Sequence, residues 1–535
     1  MGSSAGRLYQ SGLPRRQVVT ALAGTMLSMF LGSIFMTITA TAMPRIITDL
    51  GGFSQYTWVF TSYIITETVA VPLTGRLSDM FGRKWFFVAG MAIFVVGSFL
   101  CGISQTMTQL IVFRGLQGIG FGVMSALGFI VIADIFPPEE RGKYGGLMAM
   151  VFGLSTIIGP TLGGYLTDAL SWRWCFFITI PLGLIIIVLF IFLFPQLRVG
   201  GTRRRIDYAG AITMMLFITP LILALNWAGV DFTWSSPVII GLFGLTAVMF
   251  VIFVFIERRA EEPVIPLALF RNRVVTVSGI AVFLQGAAFF PGITLVPLYF
   301  QGVLGASATQ SGGFLTPMML SAAVGSFFSG QALSRAGGHY RLQAGIGFLL
   351  MAAGFLLLSR MNPQTSFLTA IINNVMVGIG AGMIMPVHTI AVQNTVPYAI
   401  MGTATSMIIL LRPLGGVFGL AIVGSVLNNR FISQFTGNLS AGVRAVVSPE
   451  QLAGIVDNPQ ALVNPAARAQ LQAMFEGLGG QGTALFQELV STLQNALNSA
   501  LTQVFLVFFI VVVLAFIVNV FLKGVPPHRD RRDVR

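Results

Sequence analysis

The chain has 535 residues, of which 55% are hydrophobic and only 9% charged, with a mean hydropathy of +0.84. A soluble domain carries about 25% charged residues, so this composition excludes a water-soluble globular protein. A net charge of +13 would suit a nucleic-acid partner, but the placement of the charges marks a membrane topology and excludes that class.

The opening "MGSSAGRLYQSGLPRR" is too polar for a secretory signal, so the first apolar run is retained as a helix. Runs of about 20 apolar residues then recur, which predicts an all-α polytopic membrane protein. Fourteen spans are expected, at 18–42, 57–77, 84–104, 109–134, 143–166, 174–195, 208–228, 237–257, 274–299, 312–333, 342–360, 366–396, 403–427 and 500–523. With the N-terminus inside, most of the 31 Lys and Arg fall in cytoplasmic intervals, and the outer loops keep Arg45, Arg173, Arg360, Arg430, Arg444 and Arg468. Arg114 and Arg412 lie within spans. This asymmetry places both termini in the cytoplasm of a cell whose cytoplasmic membrane holds the protein.

The second span starts at Tyr56 and reads "YTWVFTSYIITETVAVPLTGRLSD", with Glu67 at its middle. A carboxylate at the bilayer centre costs about 2.5–3.5 kcal/mol. At 1.5 Å per residue it lies about 15 Å deep, near the midplane of a hydrocarbon core about 30 Å thick. Burial disfavours the charged form, which makes Glu67 a candidate proton-binding group. Arg114, in the outer half of span four, is its natural positive counterpart. A static pair within one bundle is the plainer alternative.

The two cysteines, Cys101 and Cys175, read as small packing residues. HExxH and CxxC patterns are missing, so neither metal, cofactor nor enzymatic activity is expected.

The chain also repeats itself weakly. "RGLQGIGFGVM" from Arg114 and "NNVMVGIGAGMIM" from Asn373 share Gly-Ile-Gly-x-Gly, setting Asn374 opposite Arg114 and Asn394 opposite Asp134. "GRLSDMFGRK" from Gly75 is echoed by "GQALSRAGGHYR" from Gly330, with Ser334 where the first copy has Asp79. "GPTLGG" from Gly159 has a partner in "RPLGG" from Arg412. Parallel six-helix repeats are a transporter architecture with the substrate site between them. The expected organisation is therefore a cytoplasmic tail at 1–17, an N-terminal six-helix bundle at 18–206 and an inserted helix pair with linkers at 207–273. The first five helices of a C-terminal bundle follow at 274–429. An extracytoplasmic helical insertion spans 430–498, the last span 499–523 and a cytoplasmic tail 524–535.

In that insertion, "NPAARAQLQAMFEGL" from Asn464 carries helix-start signals. Leu485, Leu489, Leu493, Leu497 and Leu501 recur every fourth residue, predicting a helix that runs unbroken into the final span. The insertion is read as a packed outer cap; a surface guiding substrate, or one docking an envelope or periplasmic partner, is the alternative.

"GRLSDMFGRK" resembles the signature that the major facilitator superfamily carries between its second and third helices. "LIVFRGLQGIGFG" and "GLSTIIGPTLGG" resemble its fourth- and fifth-helix motifs, and "SWRWCFFITIP" and "LVPLYFQGVLGASATQSG" are similar to its fourteen-span drug:proton antiporters. The resemblance covers nearly the whole chain and implies two six-helix bundles plus two inserted helices. It implies proton-coupled export of amphipathic or drug-like compounds by alternating access; export of lipid or glycolipid is the alternative. Partners are then the substrate, protons and membrane lipids, with the protein a monomer.

Carried over residue by residue, the resemblance assigns proton coupling to Arg114, to which Glu67 is added here. It assigns a conformational lock to Gly75, Asp79, Gly82, Arg83 and Asp134, with Asp79 facing the start of span thirteen near Gly402-Thr403 and Asp134 pairing with Arg83. It assigns a hinge to Gly159, Pro160, Gly163 and Gly164. Related exporters carry an aspartate in helix one where this chain has Phe35; either Glu67 takes over the proton, which is the preferred reading, or coupling is weak and the protein mainly moves lipid-like molecules. Cavity candidates are Phe35, Gln117, Gln285, Asn374, His388 and Arg412.

Overall fold

A computed structural model describes residues 14–50, 56–194, 207–229, 232–261, 263–305, 308–335, 339–397, 400–446, 472, 475 and 482–523. Among them the chain is α-helical, with one isolated β-bridge between Ala228 and Phe232. The first half contributes α1 (Arg15–Leu50), α2 (Tyr56–Phe81), α3 (Arg83–Ile103), α4 (Met107–Ile135), α5 (Pro138–Ala169), α6 (Trp174–Phe177) and α7 (Thr179–Leu193). Then come α8 (Tyr208–Trp227), α9 (Pro237–Arg259), α10 (Arg273–Gly302), α11 (Ala308–Arg335), α12 (Tyr340–Leu358) and α13 (Phe367–Gln393). The chain closes with α14 (Met401–Asn438), α15 (Ala441–Val446) and α16 (Gly482–Val520).

Eleven helical segments among the described residues are long and apolar enough to cross a membrane: those in α1, α3, α4, α6 with α7, α8, α9, α10, α12, α13, α14 and α16. Three more long helices, α2, α5 and α11, occupy the other expected span positions. They are the more polar ones, and they form the seam between the two groups of helices.

The local chemistry of the helix ends follows from the sequence. Only Gly82 separates α2 from α3, and its φ of 92° is left-handed backbone, which a side chain disfavours. Thr106, Asp207, Ser236 and Ser366 cap α4, α8, α9 and α13 by accepting from backbone amides one turn on.

Two apolar cores result. One draws on α1, α3, α4 and α7, around Phe35, Phe87, Phe94, Phe176 and Phe190. The other draws on α10, α12, α13 and α16, around Phe300, Phe348, Phe355, Phe505 and Phe508. The helix pair α8–α9 packs on α2 and α14 through a third cluster that includes Ile65, Val69, Met214, Ile218 and Met407. The leucine series runs within α16, which is unbroken from Gly482 to Val520, while α14 continues past the expected end of its span to Asn438. The helix expected from Asn464 lies outside the described residues.

The two groups meet where α2 crosses α14 and α5 crosses α11. Glycine makes both crossings close. A Cβ on Gly75 would fall 2.8 Å from the Gly402 carbonyl oxygen, and one on Gly142 would fall 2.6 Å from that of Gly330. All these residues sit at the end of the molecule that holds the α2–α3 turn, so that end is closed.

Candidate functional site

At the closed end, Arg83 is fully buried at the start of α3 and is held by three side chains. Its Nε donates to Asp134 at 2.8 Å, its Nη1 to Ser78 at 2.6 Å, and its Nη2 pairs with Asp79. Such a charge is tolerable in a dry interior because each of its three nitrogens meets an acceptor, two of them carboxylates. The other oxygen of Asp79 crosses to the second group of helices, where it accepts from the Thr403 backbone N–H at 3.2 Å and its hydroxyl at 3.3 Å. Those groups begin α14, whose exposed amides favour an anion.

The repeat gives this latch a neutral twin. Ser334 on α11, the counterpart of Asp79, accepts at 3.1 Å from the backbone N–H of Lys143 near the start of α5. Asn394, the counterpart of Asp134, donates to the Tyr340 hydroxyl at 2.8 Å and accepts from Arg141 Nη1 at 2.8 Å across the seam. Gln393 also bridges the two groups, donating to the Phe129 carbonyl at 3.3 Å. Arg141, Gly142 and Gly146 are seam residues that sequence reasoning missed. The spacing Gly142-x3-Gly146-x6-Gly153 on α5 was the available signal, since small residues in register let helices touch.

Glu67 lies midway along α2. Tyr63, Thr66 and Ala70 face α4, where they or their backbones stand against Gly118 and Gly122, whereas Gly75 and Asp79 face α14. Ile65 and Val69 face α8. Glu67 itself presents its carbonyl and Cα to Gly122 of α4, and Phe60, Ile64, Glu67, Val71, Thr74 and Ser78 share one stripe of α2. Its first three members are partly exposed and its last three, toward the lock, are buried. Glu67 is partly exposed, and no hydrogen bond or ion pair holds its carboxylate among the described residues.

Arg114 is not its salt-bridge partner here, although its field reaches Glu67. Arg114 is fully buried, with Nε 3.4 Å from the Val59 carbonyl, Nη1 donating to Gln117 at 2.6 Å and Nη2 unpaired. The Tyr63 ring covers its guanidinium at 4.1 Å, and Gln117 passes the chain on to Ser98 at 2.7 Å. Tyr63, which stacks on this caged cation, lies one turn from Glu67 on α2.

Other candidates fall elsewhere. Phe35 is a correction: it is 0% exposed and packs edge-on to Phe94 at 5.4 Å and against Phe176 at 5.7 Å, so it lines no cavity. An aromatic ring there is retained by packing. Gln117 is likewise corrected to the Arg114 network, away from the cleft wall. Gly159 and Gly163 admit α1, where added Cβ atoms would meet Thr37 and Ile38, and Gly164 has open space beside it. The Pro160 side chain lies outside the described residues. This hinge segment therefore packs within one group of helices rather than across the seam. Asn374 is fully buried on α13. Gln285, His388 and Arg412 converge between α10, α13 and α14, with Arg412 Nε donating to Gln285 at 3.2 Å and His388 Nδ1 within 3.2 Å of the Ser278 hydroxyl. The described residues hold no cluster of His, Cys, Asp or Glu fit for a metal ion.

Residues 25–420 match the family model of the Major Facilitator Superfamily. The chain is 38% identical over 514 residues to "Multidrug transporter protein MdtP" of Bacillus subtilis, covering 94% of this chain and 93% of that one. It is 36% identical over 499 residues to "Multidrug resistance protein 3" of the same organism, covering 93% and 94% respectively. Among solved structures, the human organic anion transporter MFSD10 superposes with a TM-score of 0.58 over 94% of this chain and all of the other, at 14% identity, a likeness of fold alone.

Proposed function

This chain belongs to the major facilitator superfamily of transporters, and from that premise we propose that it exports amphipathic compounds in exchange for protons. The names of its bacterial relatives support drug efflux as the direction and class of transport. In this reading α2, α5 and α11 are spans too, which makes fourteen, and the basic end carrying the lock is cytoplasmic in a plasma membrane. The structure is then closed to the cytoplasm and open outward, with residues 18–206 rocking against 274–523 while α8–α9 ride with them.

One observation carries the coupling reading: Glu67, the single acid at mid-depth of its span, is partly exposed and has no fixed partner among the described residues. Protons enter from the outer side, neutralise it in its apolar setting, and so favour closing around it. After the swing, the cytoplasmic side takes the proton and an amphipathic substrate fills the cleft. A proton moved down a membrane potential yields about 2.3 kcal/mol per 100 mV, enough to drive accumulation outside.

The test is efflux from proteoliposomes holding the purified protein, with a fluorescent dye and a labelled lipid as cargoes, with and without an imposed pH gradient. Gradient-driven dye export supports antiport. Lipid movement alone, indifferent to the gradient, would replace it with the lipid-export reading.

A further inference from the structure

The second half of the chain holds a positive charge in its bundle with nothing to balance it. Between Glu262 and Glu450 the sequence contains no Asp or Glu at all, while Arg412 stands inside α14. Arg412 is only 8% exposed, and no carboxylate lies within ion-pair distance of it among the described residues. A buried guanidinium left without an anion is destabilising by several kcal/mol, so its persistence calls for a partner.

The hydrogen bonds that Arg412 does make are few and long. Nε donates to Gln285 at 3.2 Å and Nη2 to the Met385 carbonyl at 3.3 Å, both neutral acceptors. Gln285 is fixed from behind by donating to the Ala381 carbonyl at 3.5 Å. Nη1 makes no hydrogen bond, and the residual exposure of the side chain shows that it is not sealed off. One turn beyond Met385 on α13, His388 is fully buried with Nε2 unpaired. Arg83 offers the contrast: it has two carboxylates and a hydroxyl, one on each of its nitrogens.

We infer that Arg412, oriented by Gln285, binds the anionic group of an amphipathic substrate. The chemistry is that of a carboxylate, sulfonate, sulfate or phosphate, which a guanidinium grips with two parallel hydrogen bonds. The apolar remainder of such a molecule would lie between the two groups of helices. This site rests on the export reading above and narrows its substrates to those carrying negative charge. A soluble amphipath and a lipid headgroup share that chemistry.

The experiment uses three dyes with one ring system and chain, ending in a sulfonate, a neutral amide or a trimethylammonium group. Each is followed in proteoliposomes holding wild type, R412Q or R412K. R412Q is expected to raise KM for the sulfonate by about tenfold, the worth of one charged hydrogen bond, while the other two stay within about twofold. R412K, keeping charge without the fork, is expected to fall between. An equal loss for all three dyes in R412Q would make Arg412 a packing residue and overturn the site. Wild type that exports only the cationic dye would also overturn it, leaving export itself standing; failure to export any dye would instead sink the export reading.

If R412Q does not insert, wild type decides. The sulfonate must protect it against thermal unfolding more than its neutral twin does, and equal protection overturns the proposal. Vesicles doped with labelled phosphatidic acid or phosphatidylcholine separate the two sources. Selective movement of phosphatidic acid supports the site with a lipid as ligand, and sulfonate export without it supports the site with a soluble one.

Discussion

Asp79 on α2 accepts hydrogen bonds from the backbone N–H and hydroxyl of Thr403 at 3.2 and 3.3 Å, while its other oxygen pairs with Arg83. One carboxylate thus ties the turn between α2 and α3 to the first turn of α14. Hydrogen bonds to a charged group contribute about 1.5–3 kcal/mol, whereas neutral ones contribute about 0.5–1.5 kcal/mol. Asp79→Asn should therefore shift the balance between closed and open forms of this end by about tenfold or more, and Ser334→Ala, on the neutral twin, by much less. Labelling of a cysteine introduced at Ser406 reads the difference as faster modification in the Asp79 variant. Equal rates in both variants would remove the latch role of Asp79.

Arg83→Lys is not a conservative change here. The guanidinium meets Asp134, Ser78 and Asp79 through three different nitrogens, a fan that an ammonium on a shorter reach does not reproduce. Transport by the lysine variant should fall by about tenfold or more with membrane insertion intact. Wild-type rates would show that charge alone suffices.

Gly142→Leu should block closure rather than folding. The Cβ alone would fall 2.6 Å from the Gly330 carbonyl and 2.8 Å from Leu333 Cβ on the opposing helix. The expected outcome is normal insertion, lost transport, and a longer separation between spin labels placed on α5 and α11 at this end. An unchanged separation would contradict the crossing described.

Phe35→Asp should not supply a helix-one acid in working form. The ring sits among Phe94 and Phe176 with no exposed surface, so a carboxylate there is buried without a partner. Loss of the ring alone costs about 3–5 kcal/mol in a packed core. Thermal unfolding in detergent is expected at clearly lower temperature for the aspartate variant than for Phe35→Leu. Equal stability of the two would place Phe35 at a wetter site.

Much of this was legible in the sequence because it is written in local chemistry. The mid-depth position of Glu67 follows from counting residues along one apolar run, whereas the continuation of α2 past Gly75 to Phe81 was not foreseen. The weak repeat foretold that Asp79 and Ser334 hold equivalent places, and they do accept from equivalent helix starts. What could not be read were facts of rotation and long-range approach. Nothing local distinguishes a Phe35 that faces the bundle core from one that faces the cleft. Likewise Arg141 and Asn394 are 253 residues apart, so no spacing rule joins them. Glu67 and Arg114 looked like a pair by depth, yet the Tyr63 ring and Gln117 hold the arginine instead.

The most direct measurement compares wild type with Glu67→Gln in proteoliposomes, recording dye export and proton movement together over a range of outer pH. If Glu67 carries the proton, the glutamine variant still binds dye, but export no longer responds to the gradient and dye-driven proton flux disappears. Export by the variant with the pH dependence of wild type would contradict the account.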